Sequence, residues 1–406
     1  MSTTMTKGMT SEKWHASASG DQGLRDVLKA TCTRRMRTCT MLDDGDGVYT
    51  ISDITGNTVT LKKARTGETI TENLSDDDML AANECRVICG GLVFRANKVN
   101  YYLSEVCMFT LTEKLGISVD TLLLTCAYTE LADLISLVLE KKKRALNFVY
   151  TKGDQIHRLF ACGSEMFLPL GGDVIYKFIK EIASGPMGDY EVESVTSDQR
   201  ITEIRLAFPN VSAAANGATC DEVYNRIGFV PKVVIKTSDH GYSSFVVKAI
   251  WSKKGFDFIA HEKARNHKQR HKDAQSTIDK LMKDMERSIF PAFTKLLPRL
   301  DDLSDMIVTM GGSDAKGRYI DYVTDLFHAV KLDKAIGARR QKRFIELLLG
   351  ITDFDMPLTA CDVILGIIDA AEHIDGLEGS HLNDFKKAIG DIPYAKVKPQ
   401  ELALTA

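Results

Sequence analysis

No stretch of the chain is apolar for long enough to cross a bilayer. The richest runs, around Leu122–Leu139 and Phe344–Ile351, are broken by Glu130, Asp133 and Gly350, whereas a spanning helix needs roughly 20 consecutive apolar residues. The first twenty residues are small and polar, so a secretory leader is not expected. Strong net charge is missing as well. At −3 over 406 residues the chain is not a globally basic nucleic-acid binder, and any such activity has to come from a local patch.

The signatures of common catalytic engines are also absent. Leu170-Gly-Gly-Asp173 and Met310-Gly-Gly-Ser313 are glycine-rich, but neither is followed by Lys-Ser/Thr, and no G-x-G-x-x-G follows a strand pattern. Ser238-Asp239-His240 has the residue types of a catalytic relay, yet three consecutive residues cannot converge as a triad does. The cluster reads instead as the polar tip of a hairpin before Gly241. His267 and His271 lie four apart, but His267 is followed by Lys and the neighbouring cations would repel a metal, so H-E-x-x-H chemistry is not made. Nine cysteines are present, and Cys107, Cys126 and Cys361 sit in apolar helical patterns. An odd count placed in this way favours buried reduced thiols and a cytoplasmic setting. Cys85 and Cys89 form C-x3-C without a second ligand pair, so zinc is not expected. No catalytic residue, metal or cofactor is assigned, and the reading leans against an enzyme.

What is present is an ordinary globular composition, 44% apolar and 26% charged, on a chain long enough for one to three domains. The pattern predicts an α+β fold: antiparallel hairpins with packed helices, a small N-terminal β meander and a helical C-terminal third. Residues 1–22 read as a flexible arm, 23–144 as an N-terminal region, 145–260 as a central α+β core and 261–406 as a helical region. A helix is expected from Leu24 to about Met41. Val48–Ile54, Thr58–Lys63 and Glu68–Thr71 alternate as a meander. Ser75 begins a helix with acids at its positive end. Helical spacing is read over Asn100–Leu115, and another helix from Ser118 to Leu139. Leu146–Cys162 is a strand pair, Asp173–Ile182 an amphipathic helix, Tyr190–Phe208 a second strand pair and Phe229–Trp251 a third. A long polar helix is expected over 262–289, closed by Pro291, with helices over 318–336, 339–349, 358–371 and 380–389.

Charge is unevenly spread. Residues 253–299 hold twelve Lys/Arg against six Asp/Glu, a local +6 in a chain of −3. Such asymmetry is what a polyanion contact produces. The candidate phosphate contacts are Lys253, Lys254, Lys263, Arg265, Lys268, Arg270 and Lys272, with His261, His267 and His271 adding pH-dependent charge. Past Lys272 the charges alternate in sign, as on a solvated helix. Arg339-Arg-Gln-Lys-Arg343 is a smaller basic knot.

The order of features over about residues 145–385 resembles the phage/plasmid-like protein family, whose common region is a domain of unknown function. The likeness rests on the Leu146–Cys162 pair, Asp173–Ile182, the Arg200–Pro209 strand, Phe229–Trp251 with Ser238-Asp-His-Gly241, the basic His-containing stretch and Thr359–His373. The chain departs from that family at Ser252-Lys-Lys-Gly-Phe-Asp257, where a Cys-Asn-Gly element is usual, and residues 1–144 have no counterpart. The resemblance implies a mobile-element protein of the host cytoplasm and does not supply a reaction. Two functions follow as expectations. One is a non-enzymatic protein contacting nucleic acid through a basic helix, in DNA replication or recombination. The other is a phage structural or assembly protein acting through protein contacts, as a homo-oligomer.

Overall fold

A computed structural model describes residues 4–5, 15–31, 35–39, 45–116, 127–142, 145–164, 170–184, 188–198, 200–208, 228–238, 244–253, 256–265, 274–329, 338–374 and 385. The fold is α+β, built on two large sheets. In the first half of the chain, β3 (Arg35–Cys39), β4 (Gly47–Thr55), β5 (Thr58–Lys63), β6 (Thr69–Asn73), β7 (Leu92–Ala96), β8 (Val99–Leu103), β9 (Leu146–Lys152) and β10 (His157–Ser164) form an eight-stranded sheet. Its order is β3-β9-β10-β8-β7-β4-β5-β6, antiparallel throughout except that β10 runs parallel to β8. Helices α2 (Asp76–Ile88), α3 (Glu105–Leu115) and α4 (Tyr128–Lys142) pack on it.

The meander is the expected one, and it docks through β4 on β7. Ser75 caps α2 by accepting from the Asp78 N–H. Two expectations change in this half. The segment from Leu92 to Leu103 is a hairpin, so the helix begins only at Glu105. The β-branched and aromatic residues were a strand signal, but the turn is Asn97-Lys98 with φ of 52° and 62° rather than Asn-Gly. Asp46 holds that turn, accepting from the N–H groups of Asn97 (2.8 Å) and Lys98 (3.2 Å). The pair β9–β10, grouped by sequence with the later strands, sits between β3 and β8, because the β8 edge offers it backbone partners.

The second sheet runs β1 (Thr4–Met5), β2 (His15–Ala18), β11 (Glu191–Asp198), β12 (Thr202–Ala207), β13 (Val230–Thr237), β14 (Phe245–Lys253) and β15 (Phe256–Arg265), and is antiparallel throughout. Its inner face meets α1 (Gly20–Thr31), α5 (Gly172–Ala183), α6 (Ala274–Asp284), α7 (Phe290–Asp305), α8 (Ala315–Ala329), α9 (Ala338–Ile351) and α10 (Ala360–Glu372) in one apolar core. Leu24, Phe178, Leu206, Trp251, Phe293 and Ile364 are among its members. The short β16 (Ile307–Thr309) and β17 (Leu358–Thr359) pair beside it.

Several expectations are corrected here. Part of the N-terminal arm is strand: His15–Ala18 pairs with β11, a pairing made by backbone and so invisible in small side chains. The helix from Leu24 stops at Thr31, and Arg35 and Arg37 lie on edge strand β3. Most important, residues 262–265 are not helical. They continue β15 alongside β14, and the helix starts at Ala274. Polar residues on an edge strand lack the alternation of a half-buried one, and tertiary pairing decides. Pro291 does not end a helix; it stands at the start of α7, after a π turn over Met285–Ile289. There Phe290 N–H bonds to the Met285 carbonyl, a shift of register that accommodates the ring. The expected helix at 380–389 and the hairpin tip 239–243 lie outside the described residues apart from Phe385.

Candidate nucleic-acid interface

Among the described residues β15 is the outermost strand of the seven-stranded sheet, with no further strand beside its outer edge. A register shift between Ala249 and Ile250 of β14 bulges the pairing and divides β15 in two. Asp257 and Glu262 both reach the face of the sheet away from the helices. There Asp257 pairs with Arg205 of β12 at 2.9 Å, and Glu262 with Lys248 of β14 at 3.2 Å. Arg205 also meets Glu203 at 3.3 Å, and Lys232 meets Glu193. Burial alone would lower the Arg205 pKa; the charges of Asp257 and Glu203 more than reverse this, so it stands raised. Beneath these ions lie Val234, Ile250 and Ile259, buried in a small cluster of their own. The outer face is thus neutralised by its own side chains.

This pairing changes the charge of the candidate segment. Among residues 253–272 the acids are Asp257 and Glu262, and both are engaged by cations from other strands. The carboxylates of the segment are thus paired outside it. Lys263 is exposed and lies opposite Val247, and Arg265 lies opposite Phe245. His261 is half-buried opposite Ala249.

Lys253 behaves differently and is removed from the set. Its ammonium sits 5.1 Å over the Phe229 ring and 3.9 Å from Cys361 Sγ, turned toward the helices. Burial pushes the Cys361 thiol up, against the opposing pull of Lys253. Lys254, His267, Lys268, Arg270, His271 and Lys272 lie outside the described residues. Sequence reasoning missed the partners Arg205 and Lys248. Their signal was the alternation of β12 (Thr-Glu-Ile-Arg-Leu-Ala) and β14 (Phe-Val-Val-Lys-Ala-Ile), which puts Glu203, Arg205 and Lys248 on the outward face.

Other charged groups serve the fold. Asp21 gathers Arg25 (2.9 Å), Lys180 (3.3 Å) and the Tyr190 hydroxyl (3.0 Å), joining α1 to α5 and to the residue that precedes β11. Burial raises its pKa, but the Tyr190 hydrogen bond and the two cations outweigh that and leave it lowered. Cys39, Cys85, Cys89, Cys107, Cys162 and Cys361 are all buried free thiols. Cys85 donates to the Leu92 carbonyl at 3.1 Å. Among the described residues no three His, Cys, Asp or Glu side chains converge in a metal-binding group, and no helix is long and apolar enough to cross a membrane.

Comparison with protein-family models, curated proteins and solved structures finds no match to this chain.

Proposed function

We propose that this is a binding protein that contacts nucleic acid through the free end of β15 and the basic residues that follow it. The observation that carries the reading is the diversion of Asp257 and Glu262 to Arg205 and Lys248. Lys263, on the opposite face of the strand from Glu262, is exposed and continuous in sequence with Arg265, Lys268, Arg270 and Lys272. Un-neutralised cations in a run neutralise phosphates and release counterions, which gives affinity without sequence readout. Lys263 and Arg265, the described residues of this basic stretch, accordingly stand on a strand and not on a helix. A cytoplasmic, mobile-element setting fits this reading and the likeness to the phage/plasmid-like family, and is part of the proposal.

The competing account of Lys263 is edge protection, since lysine on an outer strand discourages strand addition from another molecule. A salt titration separates the two. Fluorescence anisotropy with labelled single- and double-stranded DNA and RNA should show binding that weakens steeply with salt. Five phosphate contacts predict a log–log slope of about −3.5 to −4.5. Replacing Lys263, Arg265, Lys268, Arg270 and Lys272 together with Gln should remove most of that slope. Absence of binding to every probe at low ionic strength would end the idea, and aggregation of the Gln variant with unaltered binding would favour edge protection.

A further inference from the structure

The corner of the molecule formed by residues 305–318 and 351–359 exposes large apolar side chains that the fold does not use. Ile307 is 40% exposed, Met310 58%, Ile351 46% and Met356 61%. Elsewhere, among the described residues, the large exposed apolar side chains are Leu80 and Val87 of α2. Four of six thus lie in these two adjoining segments. The two segments are held against each other by backbone. Ile307 pairs with Thr359, Thr309 with Leu358, and the Ala360 N–H bonds to the Met306 carbonyl at 2.8 Å. Gly311, at φ +88°, lies so close to the carbonyls of Phe354 and Asp355 that a Cβ there would sit 3.2 Å from both oxygens. Glycine at this position is what lets the Met310 turn close onto the Met356 loop.

Charge around the corner has one dominant sign. Asp305, Asp314, Asp353 and Asp355 are exposed in these two segments, against Lys316 and Arg318. Lys316 is folded over the Phe354 ring at 5.7 Å, and Arg318 is half-buried. Asp355 donates its N–H to Asp353 Oδ1 (3.0 Å), which fixes the acidic loop in shape.

We infer that this corner docks a basic amphipathic helix from a partner protein. Its apolar stripe would cover Ile307, Met310, Ile351 and Met356, and its lysines or arginines would meet the aspartate rim. Methionine suits this role because its unbranched, polarisable side chain repacks around different partners. An apolar centre rimmed by one charge selects a helix with the opposite charge on its flanks. The corner shares no residue with the β15 edge, so this inference stands or falls separately from the nucleic-acid reading.

The test uses the full chain and two synthetic helices of equal length, one Leu/Lys and one Leu/Glu, each fluorescently labelled. The expected result is saturable binding of the Leu/Lys helix, none of the Leu/Glu helix, and at least about tenfold weaker binding for Met310→Gln/Met356→Gln and for Asp353→Asn/Asp355→Asn. These side chains are exposed, so an unchanged thermal midpoint shows that each variant folds. Three outcomes overturn the inference: no binding of the Leu/Lys helix, equal binding of both helices, or binding unaffected by either variant. Concentration-dependent dimerisation on light scattering, abolished by Met310→Gln/Met356→Gln, would also overturn it, by assigning the corner to a second copy.

Discussion

In the eight-stranded sheet the buried carboxylates accept from backbone, whereas in the seven-stranded sheet the carboxylates lie across a strand face and meet cations. Asp46 accepts from Asn97 and Lys98, and Asp78 from the N–H groups of Gln155 (2.7 Å) and Ile156 (3.2 Å). Both aspartates are nearly inaccessible. Each fixes a hairpin turn and would leave two orphaned N–H groups if lost. Glu193, Glu203, Asp257 and Glu262 instead pair with Lys232, Arg205 and Lys248 on a partly solvated surface. Charge in the first sheet specifies backbone geometry; in the second it cancels charge on one face. The cancellation bears on the proposed nucleic-acid contact because it occupies the acids of β15 with cations of other strands.

If the seven-stranded sheet is stabilised by its inner core and not by its outer ions, Trp251→Ala should have the largest effect. Trp251 is fully buried, edge-on to Phe293 at 5.9 Å between centroids, and its indole N–H donates to the Phe293 carbonyl. A loss of about 3–5 kcal/mol is expected in urea denaturation. Next come Asp46→Ala and Asp78→Ala in the other sheet, each about 2–3 kcal/mol, from two buried donors left unsatisfied. Lys248→Ala should cost under about 1 kcal/mol, because its partner Glu262 is part-exposed and the pair is screened. A Lys248 effect as large as that of Asp46 would break the contrast.

Two smaller effects sharpen it. Asp21 has a lowered pKa when folded, so its stabilising contribution is present above the ordinary aspartate range and is lost as pH falls below about 4. Asp21→Asn should flatten that acid limb and cost about 1 kcal/mol at neutral pH, the value being modest because the site is part-exposed. Lys98→Gly, which relieves a positive φ at the turn Asp46 holds, should stabilise by a few tenths to about 1 kcal/mol in thermal melts.

Legibility in the sequence followed burial. The α5 helix was readable because Val174, Ile175, Phe178, Ile179 and Ile182 recur on one face and all are buried. The meander, β11, β12 and the β13–β14 hairpin were readable because one face of each meets a core. Strands β2, β3 and the second half of β15 were not, since their sequences lack a clear apolar–polar alternation and the pairing is carried by backbone. The same reason hid the site: a count of charges along 253–272 cannot reveal that Asp257 and Glu262 are occupied by Arg205 and Lys248, residues 52 and 14 positions away. The cations were legible as a group, but Lys253 was misplaced, because only the packed helix α10 draws its ammonium inward to Cys361.

Lysine acetylation followed by mass spectrometry, with and without saturating nucleic acid, tests the central claim most directly. The account predicts that nucleic acid shields Lys263, Lys268 and Lys272 from the reagent while Lys253 and Lys316 keep the same reactivity. Unchanged labelling at Lys263, Lys268 and Lys272 in a bound complex would contradict it.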